Sequence, residues 1–230
     1  IGAHYDHLGH GIMGSLYAGD PAIHNGADDN ASGVAALLRI AEELKKGRAK
    51  NNNYLFMGFS GEEMGLFGSK YFANNPTINL GKVNYMLNMD MVGRLNEEKV
   101  LAVNGAGTSP AWKEAIENLS IGGIQAKTTD SGIGPSDHTS FYLKDLPVLH
   151  FFTGQHTDYH KPSDDAELVN YKGLMLVTDY ILALIDELDG AGKLAFTKTK
   201  DEDEGKRAAA FKVTLGVMPD YVYQGEGMRI

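Results

Sequence analysis

Residues 54 to 63 read Tyr54-Leu55-Phe56-Met57-Gly58-Phe59-Ser60-Gly61-Glu62-Glu63, an apolar run that ends in two carboxylates. The first six residues are predicted to form a buried strand, because short aromatic and aliphatic runs bounded by glycine are typical of one. Residues 85–89 and 146–152 have the same character and are also predicted to be strands. A shorter run, residues 99–103, is a third candidate. These segments supply the strands of the predicted fold.

Helical patterns lie between the strands. Residues 33–46 place apolar side chains at helical spacing, and Ser32 or Asn30 is available as the N-cap. Residues 109–119 open with Ser109-Pro110, an N-cap followed by proline at the first helical position. Residues 171–188 carry one apolar stripe. Strands that alternate with helices predict an α/β sandwich with a largely parallel central sheet.

Composition narrows the function classes. The chain has 230 residues, 43% of them hydrophobic and 22% charged, which is ordinary for a globular protein. A net charge of −9 argues against a nucleic-acid surface, and no apolar run is long enough for a transmembrane helix. The sequence contains no cysteine, which excludes thiol nucleophiles, thiolate zinc sites and disulfides.

Histidine and carboxylate side chains of the kind that bind metals recur along the chain. They are His4, Asp6, Asp28, Asp29, Glu62, Glu63, Asp90 and His160. Such a set, without cysteine, suits zinc or another borderline divalent ion. A Glu-Glu pair can supply one carboxylate as ligand and one as base, so the series indicates a two-metal hydrolase site.

The positions of these side chains agree with that hypothesis. Sites in open α/β sheets gather at the carboxyl ends of strands, where Glu62, Asp90 and His160 are expected. His4 and Asp6 are two residues apart, so on a strand they face the same way and Asp6 could hold the ring of His4. Taken alone, Asp29 and its neighbours fit helix capping about equally well. A salt bridge would explain a buried Asp90 as well as a metal would.

Six stretches carry a resemblance to a known family: "GAHYDH" (2–7), "GADDNASGVAALL" (26–38), "FSGEEMGLFGSKYF" (59–72), "NMDMVGR" (88–94), "SDHTSF" (136–141) and "DYHKPSDD" (158–165). Together and in this order they resemble the di-zinc aminopeptidases of metallopeptidase clan MH, family twenty-eight. The resemblance covers residue 1 to about residue 188. It implies a three-layer αβα sandwich with a mixed, largely parallel central sheet of the phosphorylase/hydrolase-like, zinc-exopeptidase type.

The resemblance also implies a ligand set for two zinc ions, with other divalent metals as alternatives. Asp29 matches the carboxylate that bridges the ions, held through a cis peptide bond to the next residue. Glu63 and His160 would complete one zinc site. His4 and Asp90 would complete the other.

Further roles follow from the same matched positions. Glu62 matches the general base, Asp6 the acid that orients His4, and Tyr159 a phenol that stabilises the oxyanion. Asp137 and His138 are expected to line the substrate pocket. One group of residues is expected to have only structural roles in the core or at the surface: Asp28, His7, His10, His24, His150 and His156.

The extent of the family resemblance and the composition of the remaining chain predict the domain organisation. Residues 1–190 form the peptidase domain, and its N-terminal part is expected to be missing because the first ligand comes only four residues in. Residues 191–210 are predicted to be a charged linker. Residues 211–230 are predicted to form a C-terminal strand of the main domain or the start of a PDZ-like domain.

The expected activity is removal of N-terminal residues from peptides or proteins through a metal-bridging hydroxide, with Glu62 as base. A one-zinc enzyme similar to glutaminyl cyclase, a carboxypeptidase and a non-catalytic binding module on the same fold remain alternatives. The family suggests a periplasmic or extracellular location, although the chain contains no signal peptide. The sequence does not set the oligomeric state.

Overall fold

The computed structural model describes residues 1–47 and 49–200, which contain one six-stranded sheet. The strands are β1 Gly2–His4, β2 Met57–Phe59, β3 Met86–Met89, β4 Val100–Asn104, β5 Gln125–Thr129 and β6 Val148–Phe152. The α-helices are α1 Gly33–Lys45, α2 Phe67–Asn74, α3 Pro110–Glu117, α4 His138–Tyr142 and α5 Tyr171–Leu188.

The sheet is mixed and mostly parallel. Its spatial order is β2-β1-β3-β6-β4-β5, and β2, β1, β3 and β6 run parallel to one another. Strand β4 is antiparallel to β6, and β5 is parallel to β4. The carboxyl ends of β1, β2 and β3 therefore meet at one edge of the sheet, where candidate ligands follow each of them. The predicted α/β fold with a mixed, largely parallel sheet is confirmed.

Helices cover the sheet on both faces. On one face, sheet residues such as Leu87, Leu101 and Leu149 pack in a single core with side chains of α1, α3 and α5. On the other face, Met86 and Val148 pack in a smaller core with side chains of α4. Helices cover only part of the second face. Toward the carboxyl ends of β3 and β6 this face carries polar side chains instead of an apolar core. That uncovered part becomes the wall of a cavity.

Most predicted elements are present, with shifted bounds. The predicted strand 54–59 is hydrogen-bonded into the sheet only as β2, and α1, α3 and α5 lie within about two residues of their predicted ranges. The cap of α1 comes from Asn30, whose Oδ1 accepts the Gly33 backbone N–H at 3.0 Å, whereas Ser32 makes no capping bond. Helices α2 and α4 and strand β5 were not predicted.

The end of the described chain bears on the predicted linker. Residues 191–200 form neither helix nor strand. Most of the predicted charged linker and all of the predicted strand or PDZ-like start at 211–230 lie outside the described residues. Within the described ranges, no helix is both long and apolar enough to cross a bilayer.

Candidate metal centre

His4 stands at the carboxyl end of β1 and faces two carboxylates. Its Nε2 lies 3.4 Å from Asp90 Oδ1 and 3.4 Å from Asp29 Oδ1. Asp90 directly follows β3, the parallel neighbour of β1, which explains why two residues 86 positions apart meet. On the other side of the ring, Nδ1 donates to the Asp6 carbonyl oxygen at 3.1 Å and lies 3.7 Å from Asp6 Oδ1. Asp6 therefore orients His4 so that Nε2 points at the carboxylates.

Asp29 lies between two histidines. While its Oδ1 faces His4, its Oδ2 lies 3.2 Å from His160 Nε2. The peptide bond from Asp29 to Asn30 is cis, as the family resemblance implied. Asp29 is buried, with 4% of its surface exposed. One buried carboxylate thus offers each of its oxygens to a different histidine, which is the arrangement needed to bridge two cations.

Glu63 and His160 form the second half of the cluster. Glu63 Oε2 lies 3.1 Å from His160 Nε2. The other ring nitrogen of His160 donates to the Gly14 carbonyl oxygen at 2.8 Å, which leaves Nε2 as the nitrogen available to a ligand. His160 is therefore held in the tautomer that a metal ligand requires.

His7 also belongs to this cluster, although it was expected to be an ordinary core or surface histidine. Its Nδ1 donates to Glu63 Oε1 at 2.7 Å and lies 3.9 Å from Asp29 Oδ2. Within the described ranges, two groups have the geometry to hold a metal ion: His4, Asp29 and Asp90, and His7, Asp29 and Glu63. His160 Nε2 is the better placed of the two histidines, because it is almost equally far from Asp29 and Glu63.

The electrostatics of the cluster are those of a cation site. Burial alone raises the pKa of Asp29 and Asp90, but their contacts with histidines reverse this and lower both. Burial likewise raises the pKa of Glu63, and His160 and His7 bring it down to about 2. Burial lowers the pKa of His160, whereas Asp29 and Glu63 raise it to about 10. Ionised carboxylates thus hold protons on the histidines, and a divalent cation would compete with those protons.

Glu62 differs from Glu63. Burial, reinforced by the negative charge of Asp90, raises the pKa of Glu62 to about 9. Its backbone N–H donates to Asp6 Oδ1 at 3.2 Å, so Asp6 positions both His4 and Glu62. Without a cation the Glu62 carboxyl therefore keeps its proton at neutral pH, and the positive charge of bound metal ions would favour the ionised form that a general base requires. Glu62 lines the cavity together with Asp29, Glu63 and Asp90.

Tyr159 lies against the ring of His160. The two rings are stacked, with centroids 3.8 Å apart and planes 20° apart. Burial, together with the nearby carboxylates, raises the pKa of Tyr159 well above its ordinary value, so the phenol keeps its proton. Tyr159 also lines the cavity, where its hydroxyl is a hydrogen-bond donor.

A second network holds the loop that carries Asp29. Asp164, which is fully buried, accepts the backbone N–H groups of Asp28 at 2.8 Å and Asp29 at 3.1 Å through Oδ2. Its Oδ1 accepts from Arg94 at 3.1 Å. The side chain of Asp28 pairs with His156 at 3.1 Å and accepts the Gly93 N–H at 2.6 Å, so Asp28 and His156 help to hold this loop in place.

Sequence comparison identifies the family. The sequence profile of peptidase family M28 matches residues 1–185. The chain belongs to this family. It is 33% identical over 145 residues to the leupeptin-inactivating enzyme 1 of Streptomyces exfoliatus, covering 62% of this chain and 32% of that protein. It is 27% identical to the aminopeptidase YwaD of Bacillus subtilis, covering 70% of this chain and 37% of that protein. The chain thus spans about a third of these two relatives.

Solved structures agree with the family. BSAP, a zinc aminopeptidase from Bacillus subtilis, superposes with a TM-score of 0.64 at 26% identity, over 87% of this chain and 47% of that chain. The glutaminyl cyclase of Porphyromonas gingivalis has a TM-score of 0.62 at 21% identity, over 81% of this chain and 71% of that chain. At that identity the second similarity shows a shared fold alone.

The cluster opens into a cavity of about 1690 Å³, the expected substrate pocket of this M28 domain. Asp137 and His138 were expected to line it. Both are fully buried behind the wall, which is formed at this place by Ile133, Gly134 and Pro135. The ring nitrogens of His138 find no hydrogen-bond partner within the described part of the chain, whereas the Asp137 carboxyl has the Ser69 hydroxyl as a neighbour. His138 instead stacks on His150, at 4.6 Å between ring centroids, and His150 does reach the cavity.

Proposed function

We propose that this chain is the catalytic part of a zinc-dependent aminopeptidase that removes N-terminal residues from peptides. The observation that carries the proposal is the position of Asp29, with one oxygen 3.4 Å from His4 Nε2 and the other 3.2 Å from His160 Nε2. Two relatives with related sequences are named as an aminopeptidase and a zinc aminopeptidase. By the same family resemblance, we propose that the enzyme acts in the periplasm or outside the cell.

The donor atoms fit two zinc ions. His4, Asp90 and Asp29 would hold one ion, and Asp29, Glu63 and His160 the other. Imidazole nitrogens and carboxylate oxygens are ligands that zinc prefers in catalytic sites. Within the described ranges histidines are the ion-pair partners of these carboxylates, and a divalent cation that displaced the histidine protons would neutralise the carboxylates in their place. When bound, zinc would polarise the scissile carbonyl and lower the pKa of water.

The residues around the cluster supply the proton transfers. Glu62 takes a proton from the attacking water and delivers it to the leaving amine. Burial and Asp90, which raise the pKa of Glu62 to about 9, favour its protonated form, the form that delivers a proton to the leaving amine. Tyr159, neutral and facing the cavity, donates a hydrogen bond to the oxygen that becomes negatively charged. The free amine of the substrate is attracted to the negative charge of Asp90.

The proposal is tested by mass spectrometry of a peptide mixture incubated with the zinc-loaded protein. The mixture contains one peptide with a free N-terminus, the same peptide with an acetylated N-terminus, and a third peptide that begins with glutamine. We expect stepwise loss of single N-terminal residues from the free-amine peptides, while the acetylated peptides stay intact. Cleavage of acetylated peptides at the same rate would overturn the proposal.

The same mixture distinguishes the alternatives. Loss of ammonia from the glutamine peptide alone would identify a glutaminyl cyclase. Shortening from the C-terminus would identify a carboxypeptidase. If no peptide changes although the protein binds two zinc ions per chain, the result would indicate a binding module. The Glu62→Gln variant serves as the control for activity that comes from a contaminating peptidase.

A further inference from the structure

One row of the sheet carries polar side chains across four strands. Asn88 on β3, His150 on β6, Asn104 on β4 and Thr129 on β5 are successive partners in the strand register. Side chains alternate between the two faces of a strand, so Asn88 lies on the same face as Asp90, two residues further along. The row therefore lies beside the metal cluster, on the face that forms the cavity wall. His150, Asn104 and Thr129 all line that cavity.

The hydrogen bonds of the row have a direction. The Thr129 hydroxyl donates to Asn104 Oδ1 at 2.8 Å. The Asn104 amide then donates through Nδ2 to His150 Nδ1 at 3.3 Å. Because Nδ1 of His150 accepts a hydrogen bond, a neutral imidazole must carry its proton on Nε2. The row ends in an N–H donor at His150.

This donor and a neighbouring acceptor have no partner. His150 Nε2 and Asn88 Oδ1 are both buried without a hydrogen bond in the described ranges, and the two residues are 3% and 0% exposed. An unpartnered buried polar atom costs about 1–3 kcal/mol, so the free donor of His150, which lines the cavity, indicates a ligand group with an acceptor at this place. The two residues are register partners on strands about 5 Å apart. Stacking on His138 fixes the plane of the His150 ring.

We propose that the part of the cavity beside His150 binds the side chain of the residue being removed. We call this part the side-chain pocket, and it selects a carboxamide, that is, N-terminal asparagine or glutamine. The amide oxygen of that side chain accepts the hydrogen bond from His150 Nε2, the atom of the row that is unpartnered and belongs to a residue of the cavity lining. A carboxylate is disfavoured because the negative charge of Asp90 lies close to His150. This inference rests on the proposed aminopeptidase function and specifies its substrate class.

Asparagine and leucine have nearly the same shape, so two tripeptides that differ only in this first residue test the proposal. With the zinc-loaded wild-type protein we expect kcat/KM for the asparaginyl peptide to exceed that for the leucyl peptide by at least about tenfold, since a site built for hydrogen bonds rejects an analogue that lacks them. Equal or faster cleavage of the leucyl peptide would overturn the inference and leave the aminopeptidase function intact. Failure to cleave either peptide would overturn both.

The variant His150→Phe assigns the preference to this residue. It keeps an aromatic ring to stack on His138 and removes the Nε2 donor, so we expect the preference for asparagine to fall to about one while the leucyl peptide is still cleaved. His10→Phe, at an exposed position outside the cavity lining, is the matched control and should keep the preference. A His150→Phe enzyme that still prefers asparagine tenfold would overturn the assignment.

Calorimetric titration of the wild-type protein with free asparagine and free leucine gives a readout that is independent of turnover and of how the variant folds. We expect tighter binding of asparagine. Equal affinity for the two amino acids would contradict the proposed pocket.

Discussion

Glu62 is the side chain whose loss should separate chemistry from metal binding. It lines the cavity beside the cluster but belongs to neither of the groups with metal-binding geometry. We expect Glu62→Gln to lower kcat by about 10²–10⁴-fold, the usual contribution of a general base, while zinc content is unchanged. Peptide turnover and metal analysis of the same sample measure both effects. Glu97→Gln, at an exposed position, is the control, and a Glu62→Gln enzyme with near-normal kcat would rule out this base.

His160 and His7 are both candidates for the histidine ligand of the zinc ion beside Glu63. Replacing each in turn should show which one binds the ion and which one orients Glu63. His160 Nε2 is placed between Asp29 and Glu63, whereas His7 already donates its Nδ1 hydrogen to Glu63. We expect His160→Ala to lose one equivalent of zinc. His7→Ala should keep both ions but bind one of them about 10–100-fold more weakly, as is usual for residues that orient a ligand. The reverse order in a zinc titration would make His7 the ligand.

At the level of single residues, the family resemblance predicted the site at His4, Asp29, Glu62, Glu63, Asp90 and His160, and the structure brings these side chains together at one edge of the sheet. It did not predict His7 or His150. The contact of His7 depends on the path of its loop toward Glu63, and periodicity carries no information about such a path. His150 stands in an apolar strand, and only the register of four strands reveals its polar neighbours.

At the level of elements, Asp164 connects the loop of Asp29 with the loop of His160. It accepts two backbone N–H groups and pairs with Arg94, while fully buried. Hydrogen bonds to a charged group contribute about 1.5–3 kcal/mol, so we expect Asp164→Asn to lower the free energy of unfolding by about that amount and to weaken zinc binding. Chemical denaturation and a zinc titration measure the two effects.

Asp165 provides the matched control for this change. It is the next residue, and among the residues that the structure describes its side chain accepts a hydrogen bond from the exposed Asn25 amide alone. Asp165→Asn should leave both stability and zinc affinity close to wild type. An Asp164→Asn protein that also behaves as wild type would show that the loop is held by its other contacts.

Elements with strong periodicity were predictable, and those set by tertiary context were not. Helix α5 has a continuous apolar stripe and was predicted at its observed bounds. Strand β5 is an edge strand of mostly exposed residues, so its sequence lacks the apolar run that marks a buried strand. Helix α4 has only five residues, too few to show a helical period, and packing against β6 fixes it.

For the whole molecule, zinc should act as a ligand of the folded state. At a free concentration about 100 times its dissociation constant, one bound ion stabilises the fold by about 2.7 kcal/mol. For a protein of this size that corresponds to a rise in Tm of roughly 5–11 °C. Thermal unfolding with added zinc, and again after chelation, measures the shift. Magnesium, which prefers six oxygen ligands, should give a much smaller one, and an equal response to both ions would contradict a specific zinc site.

The central claim is that Asp29 is shared by two zinc ions. Anomalous diffraction at the zinc absorption edge, from crystals grown with zinc, tests it most directly. We expect two peaks about 3.5–4 Å apart, one beside His4 and Asp90 and one beside Glu63 and His160, with Asp29 between them. A single peak, or two peaks that do not share Asp29, would contradict the claim.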